Sequence, residues 1–264
     1  NWRTFTELDV RVHALQIERD GGTGYPVAYR GYAYVDVTLN GGSPATADLD
    51  LGTALATTEV AVELESPLPA GGLVAGIEFA PNLVMRAASL MSSATSYEIL
   101  MPAIDGVTYT FVAGVSASQA GLGWTSGVTG STATVVLPDT LQSLSPPDMS
   151  TGVTTATSFT VANPDGGPIT HAWQEVPGDL VIGLTTMNTS STLPDLAPYG
   201  LALPAGADLT WQPVAHSGTS SEGASAGNDP LSAILSLAIL GAGPAMSDSG
   251  TFAIGEEREV TTAP

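Results

Sequence analysis

Glu59-Val60-Ala61-Val62-Glu63-Leu64-Glu65 alternates carboxylates with aliphatic side chains along one short stretch. A period of two puts Val60, Val62 and Leu64 on one face of an extended segment and the acids on the other. The segment therefore reads as a strand with one buried face.

The pattern recurs on both sides. Val10 and Val12 share a face, and Gly31-Tyr32-Ala33-Tyr34-Val35-Asp36-Val37 follows. Leu73, Ala75, Ile77 and Phe79 form an inward set, as do Val107, Tyr109 and Phe111, then Ala133, Val135 and Leu137. Further on come Ser158 to Val161, Ile169 to Val176 with Trp173, Leu180 to Thr185, Leu209 to Val214 with Trp211, and Gly250 to Ile254. Asp20-Gly21-Gly22, Asn40-Gly41-Gly42, Ala70-Gly71-Gly72 and Asn163-Pro164-Asp165-Gly166-Gly167 read as turns between these runs. Asn-Gly at 40–41 predicts a tight hairpin, because both residues tolerate positive φ. Short strands without alternating helices predict an all-β fold of antiparallel sandwiches.

Leu141 to Val153, with Pro146-Pro147 at its centre, is the expected seam, since proline pairs interrupt a ladder. Two β-sandwich domains, 1–140 and 141–264, are expected on either side. One short helix is predicted over Asn228–Gly241. Asn228 and Asp229 cap it, Pro230 opens it, Leu231, Ile234, Leu235 and Ala238 share a face, and Gly241 ends it.

Composition excludes whole classes of chemistry. The 264 residues include six arginines, no lysine and no cysteine against 26 acids, for a net charge of −20. No lysine can form a Schiff base, and no thiol can attack, bind zinc or close a disulfide. A field this negative repels nucleic acid and anionic lipid. No apolar run has the length of a membrane-spanning helix; the most apolar stretch, Leu231–Leu240, is too short. The chain starts at Asn1 without a basic-then-apolar leader. The expected location is outside a bacterial cell or on its surface, after removal of a leader.

From about Leu141 the chain resembles the fibronectin type III and related immunoglobulin-like modules of secreted bacterial proteins. The matching features are Leu144-Ser145-Pro146-Pro147-Asp148 followed by Thr151-Gly152-Val153, then Thr157-Ser158-Phe159-Thr160, Trp173, Leu209-Thr210-Trp211 and the closing Val260-Thr261-Thr262-Ala263-Pro264. The resemblance implies a spacer, scaffold or binding module rather than an enzyme.

The candidate site residues fall into three groups. Asp48 and Asp50 project from one side of an extended segment, and Asn163 with Asp165 occupies a glycine-rich turn. Calcium takes roughly six to eight oxygen ligands of these kinds, so the four are candidate calcium ligands, with solvated turn acids as the simpler reading. No other cofactor is expected. Tyr25, Tyr29, Tyr32 and Tyr34 are candidates for an exposed strip that stacks on sugar rings, against packing in the interior. Trp2, Phe5, Leu8, Val10 and Val12 form an apolar pattern on a terminal strand that could pair with another chain's sheet edge.

His13, His171 and His216 lie in or beside strands, at spacings that make no zinc site, and are expected to be hydrogen-bonded or at the surface. Glu256, Glu257 and Glu259 read as a solvated face. No catalytic residue is assigned. The leading expectation is a non-catalytic structural or interaction subunit of a surface layer, filament or appendage, whose partners are itself or other surface proteins. The alternatives are a polysaccharide- or calcium-dependent binding module and a sandwich-based hydrolase.

Overall fold

The computed structural model describes residues 7–40, 45–65, 70–80, 83–115, 120–178, 180–201, 205–217, 242–243 and 249–264. These residues are almost entirely β; the single helical turn among them is a 3-10 turn at Ala197–Tyr199. The helix expected over Asn228–Gly241 lies outside the described residues.

The opening heptapeptide falls in β3 (Thr57–Glu65), where Val60, Val62 and Leu64 are buried and Glu59, Glu63 and Glu65 exposed. β3 runs between β6 (Ser96–Pro102), antiparallel, and β9 (Thr132–Val136), parallel, in a three-stranded sheet. A second small sheet orders β10 (Gln142–Ser145), β12 (Ser158–Ala162) and β15 (Ser190–Thr192).

The large sheet contains eleven of the described strands. From the N-terminal half it takes β4 (Ala70–Ala80), β5 (Leu83–Leu90), β7 (Thr108–Val115) and β8 (Gly121–Val128). From the C-terminal half it takes β11 (Ser150–Val153), β13 (Ile169–Glu175), β14 (Val181–Thr186), β16 (Asp208–Ser217), β17 (Ala242–Gly243), β18 (Ser249–Ile254) and β19 (Arg258–Thr262). The two sets join at both edges of the N-terminal strands, where β18 pairs antiparallel with β8, Thr251 opposite Gly123, and β17 pairs antiparallel with β5, Ala242 opposite Met85. β11 and β19 form a parallel pair at one end.

The halves are joined in the sheet and separate in the interior. The ladder passes between the halves without interruption, whereas the hydrophobic interior divides. Val60, Ile77, Ile99, Phe111 and Val135 belong to one core, shared by the β3 sheet and the β4–β7 part of the large sheet. Leu141, Phe159, Trp173, Trp211 and Val260 belong to another, shared by the β12 sheet and the β13–β16–β19 part. A smaller cluster of Val84, Val112, Trp124 and Phe252 draws on both sides of the seam. The change of core falls between Leu137 and Leu141, ahead of Pro146-Pro147, and the proline pair itself lies between β10 and β11, which belong to different sheets.

Two turn expectations are also corrected. Ala70-Gly71-Gly72 opens β4 instead of forming a turn, at an irregularity in its pairing with β7. A Cβ on Gly72 would come within 2.6 Å of the Leu90 carbonyl, so that glycine serves close backbone approach. The hairpin expected at Asn40-Gly41 does not join ladder neighbours, because the strand ending at Asn40 pairs backwards along the chain and β3 pairs with β6 and β9.

Candidate functional site

Among the described residues, 7–40 form a two-stranded sheet, β1 (Glu7–Arg19) and β2 (Pro26–Asn40). The turn between them is held by Asp20, whose carboxylate accepts from the Gly22 and Thr23 amides at 3.0 and 2.7 Å and from the Thr23 hydroxyl at 2.7 Å. Those donors stabilise the charged carboxylate and hold its pKa below the usual aspartate value.

The turn end of this ribbon is anchored. Pro26, Tyr29 and Gly31 are buried, and Leu15, Ile17 and Tyr25 pack on the N-terminal core. The Tyr29 hydroxyl donates to the Leu100 carbonyl at 2.9 Å, and the Leu55 amide donates to the Tyr29 carbonyl at 2.9 Å. Burial of Tyr29 pushes its phenol well above the ordinary tyrosine range. Gly31 lies directly under the Leu51 backbone, with no room for a side chain.

Further from the turn the burial is lost. Leu8 is 44% and Val12 41% exposed, and Val10, Val35, Val37 and Leu39 are half-buried. The register sets Leu8 opposite Leu39, Val10 opposite Val37 and Val12 opposite Val35, so these six share one apolar face. Among the described residues β1 is paired with β2 alone, so its outer edge has no strand beside it.

The other face is polar and aromatic. Arg11 sits opposite Asp36 and donates two hydrogen bonds to its carboxylate, at 2.7 and 2.9 Å. The Asp36 hydrogen bond raises the Arg11 pKa, and the Arg11 guanidinium lowers that of Asp36. The guanidinium also lies over the Tyr34 ring at 4.4 Å. Asp9 accepts from the Thr38 hydroxyl at 2.6 Å. His13 Nδ1 lies 2.9 Å from the Tyr32 hydroxyl, and partial burial, assisted by Arg11, lowers the imidazole pKa. Phe79 of β4 stacks on Tyr32 at 5.1 Å and approaches His13 at 4.8 Å.

This geometry divides the tyrosine group. Tyr29 is a core residue and cannot stack on a ligand, which corrects its place in an exposed strip. Tyr25 sits at the turn end beside Ser96, Tyr97 and Glu98. Tyr32 packs against Phe79, and Tyr34, at 53% exposure, has Arg11 over its ring. The rings meet one another rather than forming a row of open faces.

The calcium candidates lie in two irregular segments. Asp48 and Asp50 lie in the irregular segment after β2, where the Asp50 carboxylate accepts from the Gly52 amide at 3.0 Å. Asn163 donates to the Gly166 carbonyl at 2.6 Å, and Asp165 accepts from the Asp139 amide at 2.9 Å. Each bonded side chain closes or tethers its own turn. No group of three or more His, Asp or Glu side chains able to hold a metal ion occurs among the described residues. Of the five self-association residues, Leu8, Val10 and Val12 are on the apolar ribbon face, whereas Trp2 and Phe5 lie outside the described residues. Glu256, Glu257 and Glu259 are exposed.

His171 corrects another expectation. It is fully buried, stacked at 5.8 and 5.9 Å against Trp173 and Trp211, and neither ring nitrogen has a hydrogen-bond partner among the described residues. Alternation along β13 turns residues 169, 171 and 173 inward together. Burial pushes its pKa down to about 4.

The Arg11–Asp36 pair, with Tyr34 under the guanidinium, was not assembled by sequence reasoning. A hairpin closing regularly on Arg19 and Pro26 would set Arg11 opposite Tyr34. Irregularities at Gln16/Ile17 and Glu18/Arg19 move the register by two residues and bring Asp36 across instead. The available signal was the recurrence of opposite charge at Arg11 and Asp36 on two runs flanking one turn.

Comparisons with protein-family models, with curated proteins and with solved structures returned no match.

Proposed function

We propose that this chain is a non-catalytic structural subunit of an extracellular assembly (a surface layer, filament or appendage) that joins its neighbours through strand edges. In this reading residues 1–140 and 141–264 are two β-sandwich units fused along the β8–β18 pairing, the second of them related to fibronectin type III and immunoglobulin-like modules. The partners are further copies of the chain or other surface proteins.

The observation that carries the reading is the ribbon. A two-stranded sheet standing alone is marginal in water, and an unpaired strand edge is a ready template for another chain. Natural monomers commonly blunt such edges with lysine, proline or very short strands. β1 is thirteen residues long and contains neither proline nor lysine. One face of its outer half carries aliphatic side chains that the body does not cover.

Electron microscopy of the purified chain, concentrated in physiological salt with and without calcium, tests this reading. Regular filaments or two-dimensional arrays are expected. Uniform single particles at every concentration would overturn it.

A further inference from the structure

Glu7-Leu8-Asp9-Val10-Arg11-Val12-His13, the outer half of β1, is a charge-reversed palindrome about Val10. Acids occupy positions 7 and 9, bases positions 11 and 13, and aliphatic residues positions 8, 10 and 12. We infer that two copies of the chain pair β1 to β1 in antiparallel fashion about a two-fold axis through Val10, converting two ribbons into one four-stranded sheet. This rests on the assembly reading above and specifies its first contact.

The register follows from the sequence. With Val10 opposite its own copy, Leu8 faces Val12, Asp9 faces Arg11 and Glu7 faces His13, each pair occurring twice. Every charged position meets the opposite sign and every aliphatic position meets an aliphatic one, the arrangement that favours cross-strand pairing. A shift by one residue in either chain would set charged against aliphatic side chains. The axis is perpendicular to the sheet, so the apolar faces of both ribbons fall on the same side and become continuous. Arg11 keeps Asp36 on its own β2 and gains Asp9 of the other copy; Asp9 makes no ion pair within its own chain among the described residues.

Charge distribution selects a second copy approaching at this place. Residues 1–40 carry four arginines (Arg3, Arg11, Arg19, Arg30) against five acids (Glu7, Asp9, Glu18, Asp20, Asp36). The rest of the chain carries two arginines against 21 acids. Two such bodies repel, and the ribbon is where like chains can meet at near-neutral charge. The anchored end at Arg19–Pro26 lies nine residues from Val10, on the order of 30 Å along a strand. Pairing about Val10 therefore directs the two acidic bodies away from each other.

The chain has no cysteine, so introduced thiols report this register without background. Directly opposed residues in an antiparallel pair have Cα separations within disulfide range. Val10→Cys alone should oxidise to a species of twice the chain mass that reduction abolishes. Leu8→Cys and Val12→Cys should each stay at single-chain mass alone and form the doubled species when mixed. If unmodified protein assembles while Val10→Cys fails to cross-link, or while all three variants cross-link equally alone, this register is wrong and assembly through another edge stands. If unmodified protein is a single chain at every concentration, both this inference and the assembly reading fail.

Discussion

At the scale of single residues, the most consequential side chain is His171. Strand alternation places it in the interior, and two tryptophan rings leave its nitrogens without partners, so the fold holds it neutral. Its ordinary pKa of 6.5 is lowered to about 4. The unfolded chain thus binds a proton in a range where the folded chain does not. The sign follows: this contribution is fully present above pH 6.5 and declines as pH falls toward 4. The loss is about 3 kcal/mol in all. Urea unfolding at pH 7 and pH 4 should show that extra loss in the natural chain relative to His171→Phe, with the carboxylates common to both cancelling in the comparison. Equal pH dependence in the two proteins would mean that His171 is hydrated or bonded in the fold. The inward direction of His171 was legible from the period of β13. Its lack of partners was not, because partners come from packing across the sheet.

At the scale of elements, glycines separate tight packing from turn conformation. Gly123 of β8 lies against the Val136 backbone with no space for a methyl group, whereas Gly127 has positive φ and open space around it. Gly123→Ala should therefore cost about 2–3 kcal/mol, because the obstructing atoms are backbone. Gly127→Ala should cost about 1 kcal/mol, from conformational strain alone. Chemical denaturation of the two variants checks the order. On the ribbon, Arg11 and Asp36 are both exposed, so Arg11→Ala should leave the urea midpoint unchanged yet reduce self-association, since the same guanidinium faces Asp9 of the second copy. A large loss of stability with assembly intact would assign Arg11 to the fold instead.

Strands were the most legible elements. Val60, Val62 and Leu64, Leu73 to Ile77, and Ala133 to Leu137 all bury the face that their alternation marks. Pairing was less legible, because β3 joins β6 and β9 from distant parts of the chain. The ribbon's register depends on two irregularities with no residue signature. The candidate edge residues Leu8, Val10 and Val12 were legible as an apolar strand face. The tyrosines were not separable, because Tyr29 and Tyr34 differ only in how far each stands from the anchored turn.

At the scale of the molecule, the uninterrupted ladder couples the halves. Strand β18, from beyond the seam, covers the edge of β8, and Phe252 shares a cluster with Trp124. A fragment of residues 1–140 would expose that edge and that tryptophan. It should aggregate or unfold below the temperature of the intact chain, which itself should melt in one calorimetric transition. Two independent transitions, with the fragment melting as it does in the whole chain, would show that the β8–β18 pairing contributes little. Proline pairs suggested a boundary in the sheet because they exclude ladder bonds locally, yet β10 and β11 simply flank Pro146-Pro147 and join different sheets.

The charge of −20 also acts at this scale. Fluorescence anisotropy of labelled DNA should not change on adding protein at physiological salt, because the four arginines of residues 1–40 are outnumbered there by five acids and the field of the rest is repulsive. Micromolar, salt-sensitive binding would contradict that.

Assembly through the ribbon would appear first as a rise of mass in solution. Light scattering should follow the full chain and a chain lacking residues 1–9 over a wide concentration range in physiological salt. The full chain should rise above its single-chain mass of 26.7 kDa as concentration increases, while the shortened chain, missing Asp9 and Leu8 from the paired edge, should stay at single-chain mass. A full chain that remains at 26.7 kDa throughout, or a shortened chain that assembles equally well, would contradict the account.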